Sequence, residues 1–211
     1  MKHRTTRDLF HYWDQVRGER ATPDRDDIDP AAIRRLLADT FLLETSTDRR
    51  FRVRLSGTRL DALWLADLTG RDFAGLWGDE AGVVKAALWT AMDGASPLVV
   101  GAKIAPRGRN PSEAELLFLP VRDRGKTHSI LLGALSLAEP PGWIGLVPAG
   151  RIQLVSLRIV TPSHGVTPAE TSLPLMRRTE AASRPSARRR GHLTIYSGGV
   201  EMSRPMPAAR T

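Results

Sequence analysis

Arg52 and Arg54 stand two residues apart in FRVRLSG, the spacing that puts side chains on one face of an extended strand. Two guanidiniums on a face that lines a cavity can clamp a carboxylate or phosphate through paired hydrogen bonds. On an outward face they instead meet acids, and Glu44 and Asp61 are near in sequence. Trp64, Trp77 and Trp89 follow at intervals. Tryptophans so placed either build a core or wall a flat aromatic ligand. These five residues are the candidate ligand contacts.

The other reactive residue types point away from catalysis. The absence of cysteine removes disulfides, thiolate metal sites and thiol nucleophiles. His3, His11, His128, His164 and His192 are scattered, with no metal-ligand spacing, so a metal is not expected. The acidic run DRDDIDP lacks the spacing and the glycine of a calcium loop. LSGT is not a Gly-x-Ser-x-Gly nucleophile elbow. GAKIAPRGRNP holds glycines and arginines that could meet phosphate, but it lacks the Gly-Lys-Ser/Thr ending of a phosphate-binding loop and reads as a connection between two strands. No enzymatic activity is expected. Without a haem or cysteinyl-flavin signature, the identity of any cofactor is unknown.

The elements that must position these residues occupy the first three quarters of the chain. Apolar residues are dense from about residue 9 to 160 and thin sharply afterwards. TTRDLFHYWDQVRGER reads as a first helix, with Leu9, Trp13 and Val16 on one stripe. Asp29-Pro30 reads as a cap and first residue of a second, shorter helix carrying Ile33, Leu36 and Leu37. FLLET and FRVRLSG form an antiparallel hairpin, with Phe51, Val53 and Leu55 expected on the apolar face. Short helices follow in TRLDALWLADL and beyond, then a helix from about Glu80 to Met92. LVVGAKIAP, EAELLFLPVRD and HSILLGALSLAE close the body as three successive strands. IQLVSLRIV is either another strand or a cover over the sheet.

The 211 residues carry a net charge of +8, and it is uneven. After Thr161 eight arginines face only Glu170, Glu180 and Glu201, while the body is near neutral. This Pro-, Ser-, Thr- and Arg-rich tail is expected to be disordered. It has no recognition helix and no interleaved aromatics, so sequence-specific nucleic-acid binding is not expected; non-specific electrostatic contact with nucleic acid or an anionic surface stays open. No apolar run is long enough to span a bilayer, and the first residues lack a secretory core, so a soluble cytoplasmic protein is expected. Three regions result: 1–30, N-terminal helix and linker; 31–160, the sheet-bearing domain; 161–211, the basic tail.

The order of two strands, short helices and three antiparallel strands resembles that of a PAS domain. Particular words agree with a PAS-like family abundant in alphaproteobacteria: Tyr12-Trp13, Arg17-Gly18 or the shifted Arg20 with Pro23 and Arg25, Asp29-Pro30, Arg54-Leu55-Ser56-Gly57-Thr58 and Leu68-Thr69-Gly70. The resemblance covers about residues 8 to 160. It implies an α+β fold in which a five-stranded antiparallel sheet cups short helices, around a cavity that holds a ligand or is filled by side chains. It also implies a sensory or protein-interaction module in bacterial signalling, working as a homodimer or with an unidentified signalling protein. Leu9, Trp13 and Val16 on the first helix are the candidate dimer contacts, unless that helix folds back on its own sheet. The alternative function is a ligand-free adaptor. One departure stands out: where such proteins often carry a glycine before Leu-Thr-Gly, this chain has Leu65.

Overall fold

The computed structural model describes residues 1–45, 48–123 and 126–160, with the backbone of three short strands at 172–173, 188–190 and 193–195. The first helix, α1 (Arg4–Arg17), ends where Gly18 follows it. The strands β1 (Thr40–Thr45) and β2 (Phe51–Ser56) come next, then α2 (Thr58–Trp64), a 3₁₀ segment at Phe73–Glu80 and α3 (Ala81–Asp93). β3 (Leu98–Ile104), β4 (Ser112–Asp123) and β5 (Lys126–Leu137) follow.

The five expected strands are all present and lie in the order β2-β1-β5-β4-β3. Every pairing is antiparallel. The stretch left open between strand and cover is β6 (Gln153–Ile159), which extends the sheet beyond β3, and the two-residue β7 (Ser172–Leu173) pairs with it. These elements form one compact unit, Met1–Leu175. Within the second unit, Met176–Thr211, the described residues form a two-stranded antiparallel ladder of Arg188–Arg190 with Leu193–Ile195. The rest of the tail, for which disorder is expected, lies outside the described residues.

β4 explains the layering. Its residues from Ala114 to Val121 are buried without interruption, as in a central strand covered on both faces. Leu116 and Phe118 point to an inner core shared with α2, the 3₁₀ segment and α3. Leu117, Leu119 and Val121 point to an outer core shared with Leu9 and Trp13 of α1 and with Ile33. The helices expected on one face are there, and α1 covers the other.

Two local expectations change. Residues 30–39 do not form an α-helix: successive i to i+3 bonds, Ala32 to Asp29, Leu36 to Ile33 and Asp39 to Leu36, make a chain of turns. Ten residues are too few to hold a helix on their own, and the segment must instead lower Ile33 onto the sheet while Leu37 stays 40% exposed. The strict alternation in β2 also fails. A register shift opposite Leu42/Leu43 leaves Arg54 as the extra residue, so Phe51 and Val53 are buried but Leu55, opposite Leu42, is 62% exposed.

The family-like words have structural reasons. A side chain at Gly57 would sit 2.4 Å from the Leu37 carbonyl oxygen, so this glycine lets the turn segment cross the start of α2. Leu68-Thr69-Gly70 folds back on β2 through Gly70 N–H to the Val53 carbonyl (2.7 Å). At the departure, α2 is no longer than expected; Leu65 itself takes the left-handed cap (φ 49°, ψ 38°). A leucine there costs about 1–2 kcal/mol. Leu65→Gly is therefore expected to stabilise the protein by about 0.5–1 kcal/mol after the added chain entropy is counted, read as a rise in the denaturant midpoint.

Candidate functional site

The space between the inner face of the sheet and the helices is where a domain of this shape can hold a ligand. Here Phe41 of β1, Phe73 of the 3₁₀ segment and Phe118 of β4 meet in it. Their ring centroids lie 5.1, 5.5 and 5.6 Å apart, in stacked and edge-on arrangements. All three rings are at most 2% exposed. The Phe41 ring lies over Gly133 of β5, 2.2 Å from where a Cβ would stand. Leu60, Leu63, Leu88, Leu98 and Leu131 fill in around them. The Pro/Gly-rich chain after β5 closes the open side: Trp143 and Ile152 enter the core, and the Ala149 and Ile152 amides donate to the carbonyls of Leu63 and Leu76. A pocket of about 210 Å³ opens at the margin, between Leu60 and Leu63 of α2 and Leu135 of β5, with the Arg59–Asp39 ion pair at its rim.

Arg52 and Arg54 do not face this space. Arg52 reaches Asp48 at 3.1 Å and Arg54 reaches Glu44 at 2.9 Å, both in half-exposed surroundings. Alternation with the buried Phe51 and Val53 already turns both arginines away from the core; the bulge at Arg54 redirects Leu55 instead. The tryptophans belong to the core and its fringe. Trp77 is 1% exposed and packs on Phe73. Trp64 donates to the Gly150 carbonyl at 3.3 Å. Trp89 packs on Phe51 beneath the guanidinium of Arg49.

The outer face carries a second constellation. α1 lies back on its own sheet. Leu9 and Trp13 are fully buried within the single chain, and the Trp13 indole donates to the Pro120 carbonyl at 2.9 Å. They retain no surface for a second copy, whereas Val16 is half-buried. The helix is tied at both ends. At its start, Glu115 of β4 receives hydrogen bonds from the Lys2 amide (2.8 Å), the His3 amide (3.2 Å) and the Thr6 hydroxyl. At its end, Arg17 is 4% exposed; it binds Asp14 and the Arg20 carbonyl and lies over the Trp13 ring. The linker beyond is held by Arg122 of β4, whose two nitrogens bind the two oxygens of Asp24 at 2.6 and 2.7 Å. That fork holds the Asp24 carboxyl below its ordinary value and raises Arg122.

Glu115 was not among the candidates read from the sequence. A signal existed: it shares the outward alternation of β4 with Leu117, Leu119 and Val121, and an acid on an apolar strand face needs a partner. Burial alone would push its carboxyl up. The bonds from Thr6, Lys2 and His3 and the positive chain terminus outweigh burial, and the group is held below its ordinary value.

This architecture defines a class: an antiparallel sheet cupping short helices, with no group of three or more metal-ligating side chains among the described residues. None of their helices is long and apolar enough to cross a membrane. A family model described as PAS domain matches residues 1–136, and the chain belongs to that family. Its members are sensory or interaction modules. No curated protein matches the chain.

A carboxyl whose folded value is lowered adds stability above its unfolded value, and loses it as pH falls through the folded one. Melting temperature is therefore expected to fall on acidification from neutral pH, partly through Glu115. Glu115→Gln is expected to cost about 1–3 kcal/mol at neutral pH and to flatten that acid-side dependence. An unchanged pH profile in the variant would show that α1 is held by other contacts.

Proposed function

We propose that this chain is a non-enzymatic module of bacterial signalling that works through protein contacts, as a homodimer or with a signalling partner, and not through a ligand held in its interior. The cluster of Phe41, Phe73 and Phe118 supports this reading, because it occupies the space a ligand would need. The marginal pocket of about 210 Å³ is smaller than the roughly 300–1,000 Å³ of typical small-molecule sites. In this reading Arg52 and Arg54 secure the sheet edge and the tryptophans support the core. Leu55 and Leu65, 62% and 48% exposed, are apolar surface open to a partner. A cytoplasmic location is part of the proposal.

Native mass spectrometry of the protein purified from its own host, with an absorbance scan, is expected to give the mass of the bare chain at monomer or dimer stoichiometry. A bound mass released by denaturation would overturn the closed interior. Phe118→Ala opens the cluster and is expected to cost about 3–5 kcal/mol. Indole should then raise the melting temperature of that variant and leave the parent unchanged. Stabilisation of the parent by indole would mean that its interior already accepts an aromatic ligand.

A further inference from the structure

The hairpin joining β3 and β4 carries Arg107 and Arg109 on either side of Gly108, and the chain entering β6 brings Arg151 beside it. With Lys103 near the end of β3, they line an open cleft of about 890 Å³ outside the filled interior. We propose that this cleft binds a small polyanion bearing two or three phosphate groups.

The charge balance is the main argument. Two carboxylates also line the cleft. Glu80 is engaged by the Leu154 amide. Asp79 is fully exposed, at 3.5 Å from Arg151. Arg17, Arg20, Arg52, Arg54, Arg59 and Arg122 are each committed to an acid. Arg34 and Arg35 are exposed without an ion pair among the described residues, but only in the cleft do four cations of those residues, Lys103, Arg107, Arg109 and Arg151, line one space. Lys103, Arg107 and Arg109 form no ion pair or side-chain hydrogen bond among the described residues, although Glu113 stands opposite Lys103 across the ladder. Unneutralised cations brought together by the fold repel one another, and a multiply charged anion relieves that repulsion. Guanidinium forks suit phosphate oxygens in particular.

The cleft is also shaped for such a ligand. A Cβ on Gly78 would lie 2.5 Å from Arg151 Cδ, so the absence of a side chain there lets the Arg151 stem lie against the wall. Trp77, another lining residue, has a buried indole N–H without an acceptor. The volume falls in the range of small-molecule sites. Asp79 and Glu80 on one side would repel a continuous phosphate backbone, which favours a compact polyanion over nucleic acid.

Isothermal titration of the full chain with sodium tripolyphosphate at low salt tests this. One site per chain is expected, weakening as salt rises. Arg107→Gln/Arg109→Gln should bind at least about tenfold more weakly. Arg34→Gln/Arg35→Gln removes the same charge from exposed positions in the 30–39 turns, outside the cleft, and should change affinity less than about twofold. Thermal melts would verify that both variants fold. The proposal is overturned if the parent does not bind, if both pairs weaken binding equally, as net charge alone would, or if the cleft variant binds as well as the parent, as capture by the arginine-rich tail would.

Discussion

The carboxylate of Glu115 sits on a face of β4 that is otherwise apolar, and its three donors come from Thr6 in the first turn of α1 and from Lys2 and His3 just before it. A buried acid without those donors would be costly, and without the acid the Lys2 and His3 amides would lose their acceptor. Each side therefore requires the other. Once the start of α1 is fixed there, Leu9 and Trp13 descend onto Leu117, Leu119 and Val121, and the outer face of the sheet becomes a second core. The Arg122–Asp24 fork then draws the linker along the same face. The outer face of β4 is thus closed to any partner unless α1 moves.

The inner face is closed by different means. Three phenylalanines from elements far apart in sequence meet in the middle, and one ring covers a glycine on the neighbouring strand. Dense packing of this kind leaves no room for a ligand without side-chain displacement. With both faces of the sheet committed to packing, the surfaces left for recognition are edges, loops and rims. The exposed Leu55 at the β2 edge, Leu65 at the end of α2 and the cationic rim beside the β3–β4 hairpin are of this kind.

Much of the fold was legible in the sequence because it rests on local patterns. The stripe of Leu9 and Trp13, the strand runs and the order of elements each follow from spacing within one segment. The PAS-like words were also legible, and the structure explains several of them as packing necessities: Trp13 on the Pro120 carbonyl, Gly57 beneath Leu37, Gly70 on Val53. The departure at Leu65 was visible too, but not its resolution as a left-handed leucine at an unchanged helix end.

What only the tertiary structure decided is which groups meet. The single bulged residue at Arg54 sends Leu55 to the surface, and a register shift of that kind is set by pairing with β1, not by β2 itself. Whether α1 turned outward or folded back depended on Glu115, more than a hundred residues away. Whether the interior was a cavity depended on the sizes of side chains from separate strands and a short helix. Arg151 became a neighbour of Lys103, Arg107 and Arg109 only when the chain after β5 returned to the sheet. By itself the sequence determined the elements, their order and the sign of the charge, because these depend on neighbours along the chain. Faces, filled space and converging charges depend on neighbours across it.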